Sequence, residues 1–344
     1  MNAPNAPVSA AAQDAASPRQ ARPERAEFDA VTTGGAFMVL DQFAVIEAAG
    51  DDAASFLHGQ LTNDIQHLDA ASARLAGYCS PKGRLLASML TWREGDAIRL
   101  LLARDVAAPV VKRLSMFVLR AKAKLADVSG SVAVVGFAGD VRGALSSVFD
   151  ALPDGVHVAV GGPNGSLIRV PDAAQRPRYL WVGPRAAVEA QLPALAVRLA
   201  PAAPAVWDWL DIRAGEPRIT QAVVEQFVPQ MVNFDVLGGV NFRKGCYPGQ
   251  EVVARSQYRG TIKRRMALAH VGADADAGAE LFHADDPSQP CGMVVNVAPA
   301  PEGGVDLLVE IKLAALEGGE VRLGAADGPA LAWRALPYAL PTEV

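Results

Sequence analysis

The sequence predicts an α+β fold in which two related α+β halves precede a small C-terminal β-barrel. Three observations carry that prediction. The order strand, helix, several strands, helix, strand reads twice between residues 43 and 199. A proline-bounded linker, Pro201-Ala202-Ala203-Pro204, closes the second round. Beyond Thr261 only short alternating apolar stretches remain, the pattern of strands with one wet face.

Phe43 to Glu47 reads as a strand ending near Gly50. Asp51-Asp52 then opens a helix, because acidic side chains suit the positive end of the helix dipole. Its inward face is Ala54, Phe56, Leu57 and Leu61, and Thr62-Asn63-Asp64 ends it. Arg74–Tyr78 and Leu85–Trp92 are strands joined through the turn-forming Ser80-Pro81-Lys82-Gly83. A strand over Ala97–Leu102, a helix from Asp105 to about Arg120 and a strand over Lys124–Val128 complete the first half.

The second half repeats that order. Val132–Phe137 is a strand and Val141–Phe149 a helix. Val156–Val160 and Leu167–Val170 form a hairpin across Gly161-Gly162-Pro163-Asn164-Gly165. Tyr179–Val182 is a strand, and Pro184–Leu199 is a helix with proline at its first turn. The shared order suggests an old duplication, although no residue-level repeat accompanies it. Trp207–Ala214 reads as a helix stopped by Gly215 and Pro217, and Ile219 to Glu251 is irregular. So long a loop between ordered elements is more often functional than idle. Met266–Val271, Gly292–Val297, Asp306–Ile311 and Glu320–Leu323 supply the barrel strands, with Pro337-Tyr338 pinning the last.

Composition bounds the function. The chain has 344 residues, 51% hydrophobic and 20% charged, ordinary for a soluble globular protein of two or three units. The net charge of −5 argues against wholesale nucleic-acid binding while leaving room for a local basic patch. Cys79, Cys246 and Cys291 are far apart and odd in number, which fits a reducing compartment and no disulfide framework. Three cysteines cannot supply the four ligands of a resident four-iron cluster. No run of about 18 apolar residues offers a membrane span. The first 26 residues carry Arg19, Arg22 and Arg25 but lack the apolar core of a secretory signal. Asp14 and Glu24 weaken a transit-peptide reading, so a disordered tail on a cytoplasmic protein is expected. The five histidines show no metal-ligand spacing.

The stretch that carries chemistry is Lys244-Gly245-Cys246-Tyr247-Pro248-Gly249-Gln250-Glu251, continuing to Arg255. Tyr247-Pro248-Gly249 reads as a tight turn, proline pre-setting φ and glycine supplying the positive φ. Gly245 removes a side chain beside the sulfur, and Arg243 and Lys244 favour a thiolate if their charges point at it. On the residues alone, a buried cysteine in a glycine-flanked turn stands beside the functional reading.

Lys-Gly-Cys-Tyr-x-Gly-Gln-Glu-x-x-x-Arg resembles the signature of the YgfZ family, folate-binding proteins tied to iron–sulfur cluster maintenance. That family is related to the aminomethyltransferase of the glycine cleavage system. The resemblance extends to Gly59-Gln60-x-Thr62-x-Asp64, Cys79-x-x-Lys82-Gly83, Ala214-Gly215-x-Pro217, Phe227-x-Pro229-Gln230, Asn233 and Gly238-Gly239-Val240, covering residues 30 to 340. It implies a GcvT/YgfZ-like folate-binding fold, with the domains in a ring around a central hole where a reduced folate sits. The division it implies is a disordered tail over 1–28, a folate-binding region over 29–260 and the barrel over 261–340. Within the middle region the subdomains are about 29–129 plus 205–260, and 130–204.

The resemblance also implies site residues. Trp207 matches a ring that holds folate, lying against the ligand rather than in a sealed core, and Phe43 stands where a second tryptophan is usual. In aminomethyltransferases a glutamate just before the Ala-Gly pair anchors the pterin; here Arg213 stands there and can only donate hydrogen bonds. Pterin anchoring must therefore shift or weaken, which counts against ordinary aminomethyl transfer. Glu251 and Arg255 complete the expected cofactor-binding set, with Cys246 and Lys244 as the reactive pair. Arg255, Arg259, Lys263, Arg264 and Arg265 read either as a solvated strand edge or as an attractor for a folate tail, RNA or an acidic partner. The expected function is a folate-dependent accessory factor supporting iron–sulfur enzymes, including tRNA-modifying ones, rather than a conventional enzyme. Cys246 would serve as a transient cluster ligand, a sulfur acceptor or a redox group, with no permanently bound metal. Its partners would be folate and iron–sulfur client or assembly proteins. A tetrahydrofolate-dependent one-carbon transferase is the alternative.

Overall fold

The computed structural model describes residues 22–258 and 262–341. The tail expected over 1–28 lies mostly outside the described residues, as do Arg259 and the boundary drawn between 260 and 261. The part of the tail that is described differs from expectation. Helix α1 (Arg25–Thr33) starts inside it and buries Phe28 and Val31, closed by a reciprocal box between Glu24 and Glu27. Strand β1 (Gly35–Val39), also unexpected, follows directly.

The first half runs β2 (Phe43–Ala49), α2 (Ala53–His58), β3 (Ala73–Cys79), β4 (Leu85–Glu94), β5 (Ala97–Ala103), α3 (Arg104–Val118) and β6 (Lys124–Asp127). The second runs β7 (Val132–Gly139), α4 (Arg142–Leu145), β8 (Ala159–Gly162), β9 (Gly165–Ala173), β10 (Arg176–Pro184), α5 (Arg185–Ala196) and β11 (Ala200–Pro201). Their sheets are ordered β3-β4-β5-β2-β6 and β8-β9-β10-β7-β1-β11. The four-strand cores β3-β4-β5-β2 and β8-β9-β10-β7 share one connectivity, so the topology repeats where the residues do not. Strand β1 breaks the symmetry, pairing antiparallel with β7 and parallel with β11. The expected helices after Asp51-Asp52 and over 141–149 shrink to the short α2 and α4.

Next come α6 (Pro204–Arg213), with proline at its start, single 3-10 turns over 221–223 and 229–232, and α7 (Gln250–Tyr258). The C-terminal unit holds β12 (Arg264–Val271), β13 (Glu280–His283), β14 (Asp286–Pro299), β15 (Val305–Lys312), β16 (Val321–Leu323) and β17 (Ala332–Arg334). Its sheet is ordered β16-β13-β14-β15-β12-β17 and curls into a half-barrel, the form taken by the small C-terminal barrel expected from sequence. Tyr338 lies outside the strands and pins α6 instead, its hydroxyl donating to the carbonyl of Gly215 at 2.9 Å.

The three sheets meet in one central apolar cluster around Val206, Trp207 and Leu210 of α6. Phe43, Leu90 and Leu101 come from the first sheet, Met38, Val134 and Leu180 from the second, and Met266, Leu268 and Leu308 from the third. The opposite face of the first sheet packs on α2 and α3 through Ile46, Leu57, Leu100 and Leu114. That of the second packs on α4 and α5 through Phe137, Leu145, Trp181 and Leu195. This two-sided burial explains why the strands read as nearly continuous apolar runs.

Candidate functional site

A cavity opens within the central cluster, with about 560 Å³ of empty space counting its mouth. Leu75, Leu90, Leu101, Val170 and Leu180 form apolar walls, and Phe43, Trp207, Asp211, Glu216 and Arg218 also line it. A second cavity, lined by Asp208, Thr220 and Asn296, shares Asp211, Glu216 and Arg218. Those three side chains are thus a common wall between two openings.

The wall belongs to a buried charge network. Arg178 of β10 is fully buried. It donates to Asp211 Oδ1 at 2.7 Å, to Glu216 Oε2 and to the Pro171 carbonyl at 2.8 Å. Its guanidinium lies 4.9 Å from the Trp207 ring centre, a cation–π contact. Arg218 repeats the device, 4.8 Å from the Phe43 ring centre and paired with Asp208 and with Asp211 at 3.4 Å. Asp208 and Asp211, three residues apart on α6, share one helix face, and Gly215 and Pro217 end the helix so that Glu216 and Arg218 turn back toward it. Burial pushes the carboxyls of Asp211 and Glu216 above the usual range, more than Arg178 pulls them down.

The cysteine loop sits elsewhere, on the first half. Gly249 has φ +81°, and a Cβ there would lie 2.4 Å from the Ser80 carbonyl and 2.6 Å from Gly83 Cα. The Pro248-Gly249 turn therefore lies backbone to backbone on the Ser80–Gly83 turn, which explains why both turns carry glycine. Thr62 and Asn63 fasten the approach segment: Thr62 Oγ1 donates to the Gly239 carbonyl at 2.6 Å and Asn63 Nδ2 to that of Gly238 at 2.7 Å. Gln230 Nε2 donates to the Val253 carbonyl at 2.8 Å, and Asn233, in the left-handed region, bonds Met266 of β12 in both directions. The glycine- and amide-rich motifs of the sequence thus carry the backbone to Cys246.

Of the three thiols, Cys246 is exposed and Cys79 and Cys291 are buried. Burial pushes Cys79 up to about 12 and raises Cys291 as well, so neither is reactive near neutrality. Lys244 Nζ donates to the carbonyls of His58, Leu61 (3.0 Å) and Gly245 (3.3 Å), and lies 4.8 Å from the Tyr247 ring centre. Burial lowers its pKa to about 8, against the pull of Asp64 and Cys246. Nearby, His58 and His67 both bond Asp64, at 3.0 and 2.9 Å.

The expected cofactor set is therefore divided. Phe43 and Trp207 do line the central cavity, but they are 8% and 1% exposed. A Cβ on Gly136 would lie 2.3 Å from Trp207 Cε3, so the ring is packed between Arg178 and the β7 backbone and offers no free stacking face. Arg213 points away from the cavity toward Asp306 of β15, at 3.6 Å. Glu251 and Arg255 are exposed on α7, a helix where the sequence reading saw loop and strand edge, and do not line the cavity. Arg264 bonds Glu310 through both carboxylate oxygens at 2.8 Å, and Arg265 bonds Asp235 at 2.6 and 3.1 Å. Those two cations are already neutralised, which corrects their reading as a free attractor. Sequence reasoning missed Asp208, Asp211, Glu216, Arg178 and Arg218. The available signal was Arg178 directly before the apolar run Tyr179–Val182, a cation that needs buried acids.

His270, Glu302 and Asp306 bring ligand-type atoms within 4.8 Å of one another. Asp306 is already bonded by Trp209 Nε1 at 3.0 Å and faces Arg213 and Arg334, so cations hold this cluster. Among the described residues no helix is long and apolar enough to cross a membrane.

No protein-family model matches the chain. It is 37% identical over 231 residues to the tRNA-modifying protein YgfZ of Edwardsiella ictaluri, covering 67% of this chain and 69% of that one. The proteins of that name from Serratia proteamaculans and Escherichia coli O157:H7 are 34% and 32% identical. Those matches cover 66% and 71% of this chain, and 68% and 75% of the relatives. In structure the chain is similar to the glycine cleavage system aminomethyltransferase T of Bartonella henselae. The TM-score is 0.75 at 16% identity, over 91% of this chain and 88% of that one, a likeness of fold.

Proposed function

The chain belongs to the YgfZ family, and on that premise we propose that it is a folate-binding accessory protein of the cytoplasm. In this reading it supports assembly or repair of iron–sulfur clusters in client enzymes, tRNA-modifying enzymes among them, through Cys246. The observation that carries the proposal is the contrast among the thiols: the signature cysteine alone is exposed, on a loop fastened by the other motif residues. An exposed sulfur on a rigid turn can meet a cluster or a sulfur donor on a second protein, which a buried thiol cannot.

The central cavity fits a reduced folate by the chemistry of its lining. Apolar walls take a flat ring, and Asp211 and Glu216 offer acceptors to the donor edge of a pterin. Bound there, a reduced folate supplies a reduced ring able to carry one-carbon units. The chain's own residues hold and orient it: Phe43 and Trp207 close the cavity and Arg178 and Arg218 fix the carboxylates. Arg213, which replaces the pterin-anchoring glutamate of the aminomethyltransferases, is turned to Asp306, and this disfavours ordinary aminomethyl transfer.

Thermal unfolding with and without tetrahydrofolate tests the reading. At about 100-fold excess over its dissociation constant, the ligand stabilises the folded state by roughly 2.7 kcal/mol. An unchanged melting temperature at millimolar tetrahydrofolate would remove folate from the account.

A further inference from the structure

A further cavity opens where the first half meets the C-terminal sheet, with about 630 Å³ of empty space counting its mouth. It shares no lining residue with the central one. Arg84, directly after the Ser80–Gly83 turn, stands on one side. On the other, Glu280, Met293 and Glu310 lie opposite one another in register on β13, β14 and β15, so they share one face of the sheet. Phe227 and Met231 add apolar lining. The bonds show which charges are spent. Arg264 gives Nη1 to both oxygens of Glu310, a pair that balances itself. Arg84 donates through Nη1 to the carbonyls of Glu225 and Gln226, which fix the guanidinium without neutralising it. It faces Glu310 beyond ion-pair distance, and among the described residues its Nε and Nη2 donate to nothing. That edge is the one that takes a carboxylate through two parallel bonds. Glu280 is exposed, and its carboxylate has no partner among the described residues.

We propose that this cavity binds an elongated zwitterion, a ligand with a carboxylate at one end, an ammonium at the other and an aliphatic stretch between. The free edge of Arg84 takes the carboxylate and Glu280 takes the ammonium. Met293, beside Glu280 in the row, and Met231 cover the stretch with adaptable unbranched side chains. Strand spacing sets the length: Glu280 is two strands, about 10 Å, from Glu310, the carboxylate that Arg84 faces. Other ligand classes fit the lining less well. A polyanion would meet one unpaired cation and two carboxylates. A purely apolar ligand would cover Arg84 and Glu280 without giving either a partner, which is costly. The assignment is independent of the folate reading.

Ligand-observed NMR titration of the full chain tests this with 6-aminohexanoate, hexanoate, hexylamine and inorganic phosphate. The parent should bind 6-aminohexanoate. Hexanoate should bind about threefold more weakly, the scale of an exposed ion pair, because it lacks the contact with Glu280. Hexylamine and phosphate should bind far more weakly than either. Glu280→Gln, a change at an exposed side chain, should make 6-aminohexanoate and hexanoate equal. Arg84→Gln should weaken both by about tenfold or more, the scale of a hydrogen bond to a charged group. Saturating the protein with tetrahydrofolate should alter none of these affinities, since the two cavities share no lining residue. No binding of 6-aminohexanoate to the parent at millimolar concentration overturns the assignment. So does phosphate binding as tightly, a preference over hexanoate that survives Glu280→Gln, unchanged affinity in Arg84→Gln, or displacement by tetrahydrofolate.

Discussion

Lys244 Nζ donates to the carbonyl of Leu61 at 3.0 Å, fastening the cysteine loop to the chain just beyond α2. With the His58 and Gly245 carbonyls it uses all three of its protons on backbone acceptors. Lys244 is thus a staple for the loop as well as a charge beside the sulfur. Its pKa of about 8 lies below the ordinary lysine value because the amine is half-buried. The sign follows: with the folded value below the unfolded one, burying the charge costs stability below about pH 8. That cost is relieved as pH rises toward the unfolded value of 10.5. Amine labelling resolved by mass spectrometry should show Lys244 titrating near pH 8, well before the exposed lysines. A midpoint equal to theirs would mean that the amine is not held in this bonded site.

Trp207 is both cavity wall and core. Trp207→Ala should cost about 3–5 kcal/mol of stability, the range for truncating a buried aromatic, besides weakening folate binding. Gly136→Ala is the more local probe, since the atoms nearest its methyl group belong to the Trp207 ring. It should displace the indole and lower folate affinity, read by tryptophan fluorescence during titration. An unchanged spectrum and affinity would show that the ring does not shape the cavity.

Gly249→Ala tests the contact between the two turns. Alanine is strained at φ +81°, by about 1–2 kcal/mol, and its methyl group would also collide with the Ser80 carbonyl. Loss of about 2 kcal/mol or more in a denaturant melt is expected, with faster proteolysis near Cys246. Stability within about 0.5 kcal/mol of the parent would mean that the turns are not packed as described.

The strands of both halves were legible because each alternates or runs apolar between turn residues, as Leu85–Trp92 does between Gly83 and Gly95. Strand β1 was not: five residues beginning on the second of two glycines carry little periodicity, and its place comes from pairing with distant β7 and β11. Helix α7 was hidden because Val253 is its one buried residue, too little for an apolar stripe. At the site, the glycines and Cys246 were legible as turn chemistry. The charge network was not, because Asp208 and Asp211 on a helix look solvated until the sheet brings Arg178, some 30 residues earlier, against Asp211 and the chain beyond α6 folds Arg218 back against both. Local pattern reports what a residue needs from its neighbours in sequence, and buried ion pairs are satisfied across the fold.

The central claim is that the Cys246 sulfur does the work, and one substitution tests it most directly. Cys246→Ser preserves size and turn geometry, but its hydroxyl stays protonated near neutrality and is a poor soft-metal ligand. Expressed in a cell lacking its own YgfZ protein, at levels matched to the parent, the variant should fail to restore iron–sulfur enzyme activity and tRNA modification. Cys79→Ser and Cys291→Ser, altering buried thiols, should restore both in proportion to how well they fold. Full restoration by Cys246→Ser would show that the sulfur is dispensable and contradict the account.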